Sequence, residues 1–140
     1  MKNLILSLII IITSCIYANA DQFVPEFDKM QILKCDVKET IYDSSNNPIV
    51  TTGYYRIFRL DDENKKLYLQ KEPVNVSYYG DDKLIFRIES MTDDFISTCD
   101  TEIDRNSNQY KSDVIMNYNN SIYGTKYGKA TGNCYMKNLP

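Results

Sequence analysis

The residues able to do chemistry in this 140-residue chain are few, because it has four cysteines and no histidine. Without histidine, the Ser-His and Cys-His dyads and the usual zinc sites are excluded together. No G-x-S-x-G, Walker-type or dinucleotide glycine pattern takes their place. Carboxylates remain. Asp61-Asp62-Glu63 and Asp93-Asp94 could be the paired acids of a glycosidase, which requires that they share a cleft. Both stretches read as polar turns, where acids are common for conformational reasons. Asp104-Arg105-Asn106-Ser107-Asn108 has the D-x-N-x-N opening of a calcium loop, but Gln109 replaces the turn glycine and Ile115 stands where a bidentate acid is needed. That stretch reads as a hairpin turn. No catalytic residue, metal ligand or cofactor is expected, and the chain reads as a protein that is not an enzyme.

The cysteines point to an address. Lys2 followed by the apolar run Leu4 to Ile12 is the pattern of an export segment, too short for a stable bilayer anchor. Ala18-Asn19-Ala20 is a small-x-small cleavage site that would leave Asp21 first. Ile12-Thr13-Ser14-Cys15 resembles a bacterial lipobox, in which Cys15 would be acylated and hold the domain to a membrane. The first ending is preferred, since leucine is usual where this chain has Ile12. The expected organisation is a signal peptide over 1–20, a lead-in segment over 21–31 and a single β domain over 32–140, periplasmic or secreted unless Cys15 is lipidated. Removing the signal takes away one lysine and no acid, so the formal charge moves from −3 to −4. A pI near 4.9 with dispersed basic residues excludes a nucleic-acid footprint and, lipidation aside, a membrane partner. Asn75-Val76-Ser77 and Asn119-Asn120-Ser121 match the glycosylation sequon, an accident if the source is bacterial.

Strands must position whatever this domain uses. The clearest pattern is Phe95 to Tyr118. Phe95, Ser97, Cys99, Thr101 and Ile103 share one face, then Tyr110, Ser112, Val114, Met116 and Tyr118 share another, with Asn106-Ser107-Asn108 turning between them. Leu33, Cys35, Val37 and Ile41 alternate likewise, with Glu39 the one misfit. Asp43 to Pro48 is a turn, and Tyr54, Phe58 and Leu60 oppose Tyr55, Ile57 and Arg59, with Gly53 marking a bulge. Leu67 to Leu69 is a short strand ended by Pro73. Val74, Val76 and Tyr78 form one face of the next, and Leu84, Phe86 and Ile88 one face of the one after. Phe23 or Phe27 is expected to pack against an end of the barrel. Gly124, Gly128 and Gly132 suit a last strand close beneath another backbone. The fold class is all-β: about eight antiparallel strands in an up-and-down meander or small closed, calycin-like barrel.

With Cys15 in the export segment, Cys35, Cys99 and Cys134 remain. Up-and-down closure sets the first strand beside the last and brings Cys35 and Cys134 within disulfide reach, about 4.4 to 6.8 Å between Cα atoms. Cys99 and Cys134 would lie two strands apart, about 10 Å, so Cys99 is expected as a buried free thiol. Ile32-Leu33-Lys34-Cys35, Phe58-Arg59-Leu60-Asp61-Asp62 with Lys66-Leu67-Tyr68, Glu102 to Ser107, and Gly132-Asn133-Cys134 resemble small exported β proteins of Gram-negative bacteria. The resemblance implies the fold and the address, and no active site. The expected function is a non-enzymatic binding protein, taking a small apolar molecule in the barrel or a protein partner at its rim. Alternatives are an inhibitor of a secreted hydrolase, such as a lysozyme or protease, or a structural envelope protein. An interior filled by Tyr54, Phe58, Phe86 and Met116 would argue against carriage. A rim loop at Asp43 to Pro48 or Asn119 to Gly124 would suit an inhibitor.

Overall fold

The computed structural model describes residues 23–120 and 122–137. The export segment, both of its proposed endings, Cys15 and Ser121 lie outside them. A single 3₁₀ turn, Phe27–Lys29, precedes nine strands: β1 (Gln31–Tyr42), β2 (Pro48–Asp61), β3 (Lys66–Leu69), β4 (Glu72–Pro73), β5 (Asn75–Tyr79), β6 (Lys83–Met91), β7 (Phe95–Asp104), β8 (Gln109–Tyr118) and β9 (Thr125–Lys137). All pair antiparallel, in the order β4-β3-β2-β1-β9-β8-β7-β6-β5. The first and last strands are neighbours, as up-and-down closure requires. The two strands at the ends of that order, β4 and β5, are consecutive in the chain with only Val74 between them. They are two halves of one extended segment: Glu72 and Pro73 pair with β3, and Asn75 to Tyr79 with β6. Val74 N donates to the Leu67 carbonyl at 3.0 Å. Counted this way the meander has eight strand positions, and it closes nearly completely.

Alternation decides what faces in. Leu33, Cys35, Phe58, Leu60, Leu67, Leu84, Phe86, Ile103, Tyr110 and Cys134 form one buried cluster, and the Phe58 and Phe86 rings meet edge to face at 5.2 Å. On β9, Gly128, Ala130 and Gly132 stand opposite Val114, Ser112 and Tyr110. This nearly bare stripe leaves room for the Tyr110 ring. A Cβ at Gly132 would strike the Asp36 carbonyl, and one at Gly128 would lie 2.9 Å from the Thr40 carbonyl, so β9 lies tight against β1. Cys35 and Cys134 face each other across that pair and are joined by a disulfide, their Cα atoms 3.9 Å apart. Cys99 is a free thiol, 5% exposed. A disulfide in such a chain marks folding in an oxidising compartment. Among the described residues no helix is long and apolar enough to cross a membrane.

Three local expectations are corrected and a fourth is narrowed. Gly53 pairs in register with Lys38, and the irregularity lies at Ile41 and Tyr42 instead. Pro73 does not end β3. The turn at Gln70 and Lys71 does, with Gln70 at φ 57°, and Pro73 sits beyond it on a short edge where its missing N–H costs nothing. A bulge between Val76 and Tyr78 reverses the alternation, so Tyr79 packs on the core while Tyr78 is exposed and donates to Asp82 at 3.0 Å. Of the two lead-in rings, Phe23 lies at the end of the barrel where β1 begins and β2 finishes, beside Leu60 and under the Lys66 ammonium at 3.9 Å, whereas Phe27 packs on the outside of β2 and β3. Its ring meets Tyr68 edge to face at 5.1 Å, and Arg59 donates to its carbonyl at 3.2 Å.

Candidate functional site

The half-length of β3 and β4 creates the site. Their turn falls midway up the barrel, where Gln70 N donates to the Ile57 carbonyl at 2.8 Å. Below that turn, β2 is paired with β3 over Phe58 to Asp61 and β6 with β5 over Leu84 to Arg87. Above it the wall lacks the upper halves of two strand positions. Among the described residues, Val50 to Arg56 of β2 and Ile88 to Met91 of β6 have no strand partner on that side. A cleft of about 670 Å³ opens through this window, with Leu69 and Val74 as its sill, Arg56 and Ile88 on its sides and Cys99 at its back.

The inner face behind the window is mixed in polarity. Glu39, the misfit of the first strand, points inward and accepts the Tyr54 hydroxyl at 3.1 Å. Thr101 and Ser112, both buried, share a hydrogen bond of 3.0 Å. Arg56 lies on the same inward face as Tyr54 and Phe58, with its guanidinium carbon 5.0 Å from the Tyr54 ring centre. Its Nε is buried without a hydrogen-bond partner, and so is the hydroxyl of Tyr110, a residue 1% exposed. Burial raises the Tyr110 and Cys99 ionisations, and nearby Arg56 opposes the rise in each. Cys99 therefore stays a thiol at neutral pH, a poor nucleophile. Burial is also the main reason that Tyr54 is raised.

The acids singled out in the sequence sit elsewhere, each with a local task. Asp61 caps its own turn through Asn64, at 3.1 and 2.8 Å. Asp62 accepts the Tyr79 hydroxyl at 2.7 Å and Arg105 at 3.1 and 3.4 Å, while Arg105 also reaches the Gly80 carbonyl at 2.9 Å. Burial works against ionisation of Asp62, but these hydrogen bonds outweigh it and hold the carboxyl below its usual range. This latch ties three turns together at the lower end. Asp93 and Asp94 offer backbone carbonyls to Asn119 at 2.7 and 2.8 Å. Asp104 spends one carboxylate oxygen on the backbone N–H groups of Asn106 and Ser107, at 2.8 and 3.0 Å, and Asn108 takes φ 61° to close the turn. Among the described residues no cluster of acids, cysteines or histidines could hold a metal ion.

Of the two rim loops, Asp43 to Pro48 is braced by Asp43, whose carboxylate accepts the N–H groups of Ser45 and Asn47, both at 2.9 Å. In the other, Tyr123 packs on Tyr118, which packs on Phe95, with ring centres 5.8 and 5.3 Å apart. Both loops lie at the upper end, the end to which the window opens. Arg56 is the residue that sequence reasoning missed. Its signal was available: an arginine on the inward parity of a strand, between Tyr54 and Phe58. Comparison with family models, with curated proteins and with solved structures finds no match to this chain, so a functional reading rests on this geometry.

Proposed function

We propose that the domain is a non-enzymatic binding protein that takes a small ligand sideways, through the window, rather than along the barrel axis. The carrying observation is the cleft of about 670 Å³ above a solid half, a size that suits one small molecule. Phe58 and Phe86 with Tyr54 packed on them, and Met116 on the smaller cluster of Ile41, Cys99 and Val114, occupy the interior, which argues against a ligand carried along the barrel axis. The chain has no tryptophan, so Ser90→Trp, at the window edge, supplies a clean reporter. Titration with dodecanol should shift its emission to the blue and saturate at one equivalent. An unchanged emission would overturn the reading.

A second reading is favoured by the two free strand edges: an extended segment of a protein partner, such as a secreted hydrolase, could pair with them. Amide hydrogen exchange separates the two. A bound strand would protect those amides of Val50 to Arg56 that point away from β1, and a small molecule would leave them exchanging. We place the domain outside the cytoplasm, periplasmic or secreted, beginning at Asp21. Intact mass of the exported protein should match a chain starting there, whereas an acylated Cys15 would make it a membrane-anchored lipoprotein.

A further inference from the structure

We propose that Arg56 makes the inner end of the window a carboxylate site, so that the ligand is a single-chain carboxylate rather than a neutral molecule. The proposal rests on the window being the binding site and goes further by naming the ligand's head group. Arg56 faces the cleft, and among the described residues no acid pairs with it. The nearby acids are otherwise placed. Glu39 holds the Tyr54 hydroxyl, and Asp100 is clasped by Arg87 at 2.6 and 3.0 Å on the outer face. Glu72 and Glu89 lie exposed on the window rim.

A half-buried guanidinium with no counter-charge is costly. The Tyr110 hydroxyl lies behind it, against Arg56 and Thr101 and outside the cleft lining, so an acceptor for the guanidinium has to enter from the cleft. A carboxylate has two oxygens with about four lone-pair positions between them and can accept from two N–H groups of one guanidinium. Leu69, Val74 and Ile88 offer apolar surface within the same cleft for the alkyl chain attached to such a head group, beside polar Gln70, Asn75 and Ser97. One unpaired cation matches a monoanion.

The Ser90→Trp protein titrated with laurate and with dodecanol tests this, the two probes sharing a chain and differing in charge. At about pH 8, where laurate is ionised, laurate should bind at least about tenfold more tightly, as expected for a charge-assisted pair out of bulk water. Arg56→Gln should bring the ratio close to one. If Arg56→Gln fails to form the Cys35–Cys134 bridge, Arg56→Lys serves in its place, keeping the charge without the fork and giving an intermediate ratio. Equal binding of the two probes, or a preference that survives Arg56→Gln, overturns the carboxylate site while leaving the window intact. Binding of neither probe overturns both.

Discussion

The two halves of this barrel are built from the same strands and end differently. In the lower half every strand position is filled, the interior is packed with Phe58, Phe86, Leu60 and Leu84, and Arg105 spends its donors on Asp62 and Gly80. In the upper half two positions are empty, the inner face carries Glu39, Arg56 and Ser97 beside a smaller buried cluster of Ile41, Cys99 and Val114, and Arg56 Nε has no partner. The difference traces to one turn. Because the chain reverses at Gln70 after only four residues of β3, the barrel is sealed by chain continuity below that level and left open above it. The largest effects should therefore separate the halves. Phe58→Ala should cost about 3 to 5 kcal/mol, as buried aromatic truncations do. Ile88→Ala, on the window side, should cost about 1 kcal/mol, because part of its surface stays wet. Equal losses in urea denaturation would break the distinction.

The disulfide should behave as part of the closed half. It joins β1 to β9 across 99 residues of sequence, and its loss should cost about 2 to 5 kcal/mol. Replacing Cys35 and Cys134 together with serine isolates that effect. Cys99→Ser, at the back of the window, should cost about 1 to 3 kcal/mol, the penalty for burying a hydroxyl. Cys99 should resist alkylation until the protein unfolds. Rapid alkylation of the native protein would mean that the window opens farther than the structure shows.

What was legible in the sequence divides along the same line. The β7–β8 hairpin was readable because every inward residue from Phe95 to Tyr118 obeys a period of two, and the adjacency of the first and last strands comes from closure alone. Tyr78 was misassigned because a bulge inserts one residue without leaving a composition signal. The window was invisible for a different reason. It consists of strand that is absent, and alternation reports only the strand that is present. Glu39 and Arg56 were the two hints, polar residues on the inward face of β1 and β2, and only the fold shows that they lie behind the same opening.

The latch at the lower end gives the smallest effect and the sharpest sign. Asp62 titrates below its usual range in the folded protein, since Tyr79 and Arg105 hydrogen-bond its ionised form despite burial. Its contribution is thus fully present above the unfolded value of about 3.9 and is lost as pH falls through the lower folded value. The Asp62 side chain is 44% exposed in its ion pair with Arg105, so solvent screening keeps that contribution to about 1 kcal/mol or less. Tyr79 has the opposite sign: burial, then the Asp62 hydrogen bond, raise its ionisation, so its share is intact below about pH 10 and lost as pH rises toward the folded value. Asp62→Asn should accordingly be less stable than the parent by a constant amount between about pH 5 and 8, with the gap closing below about pH 4. Asp43 and Asp104, also held low by turn hydrogen bonds, titrate in both proteins and cancel in the difference. A gap that persists unchanged at about pH 3 would show that the carboxylate of Asp62 is not what latches the closed half, and the seam there would owe its stability to packing around Leu67 and Tyr79 alone.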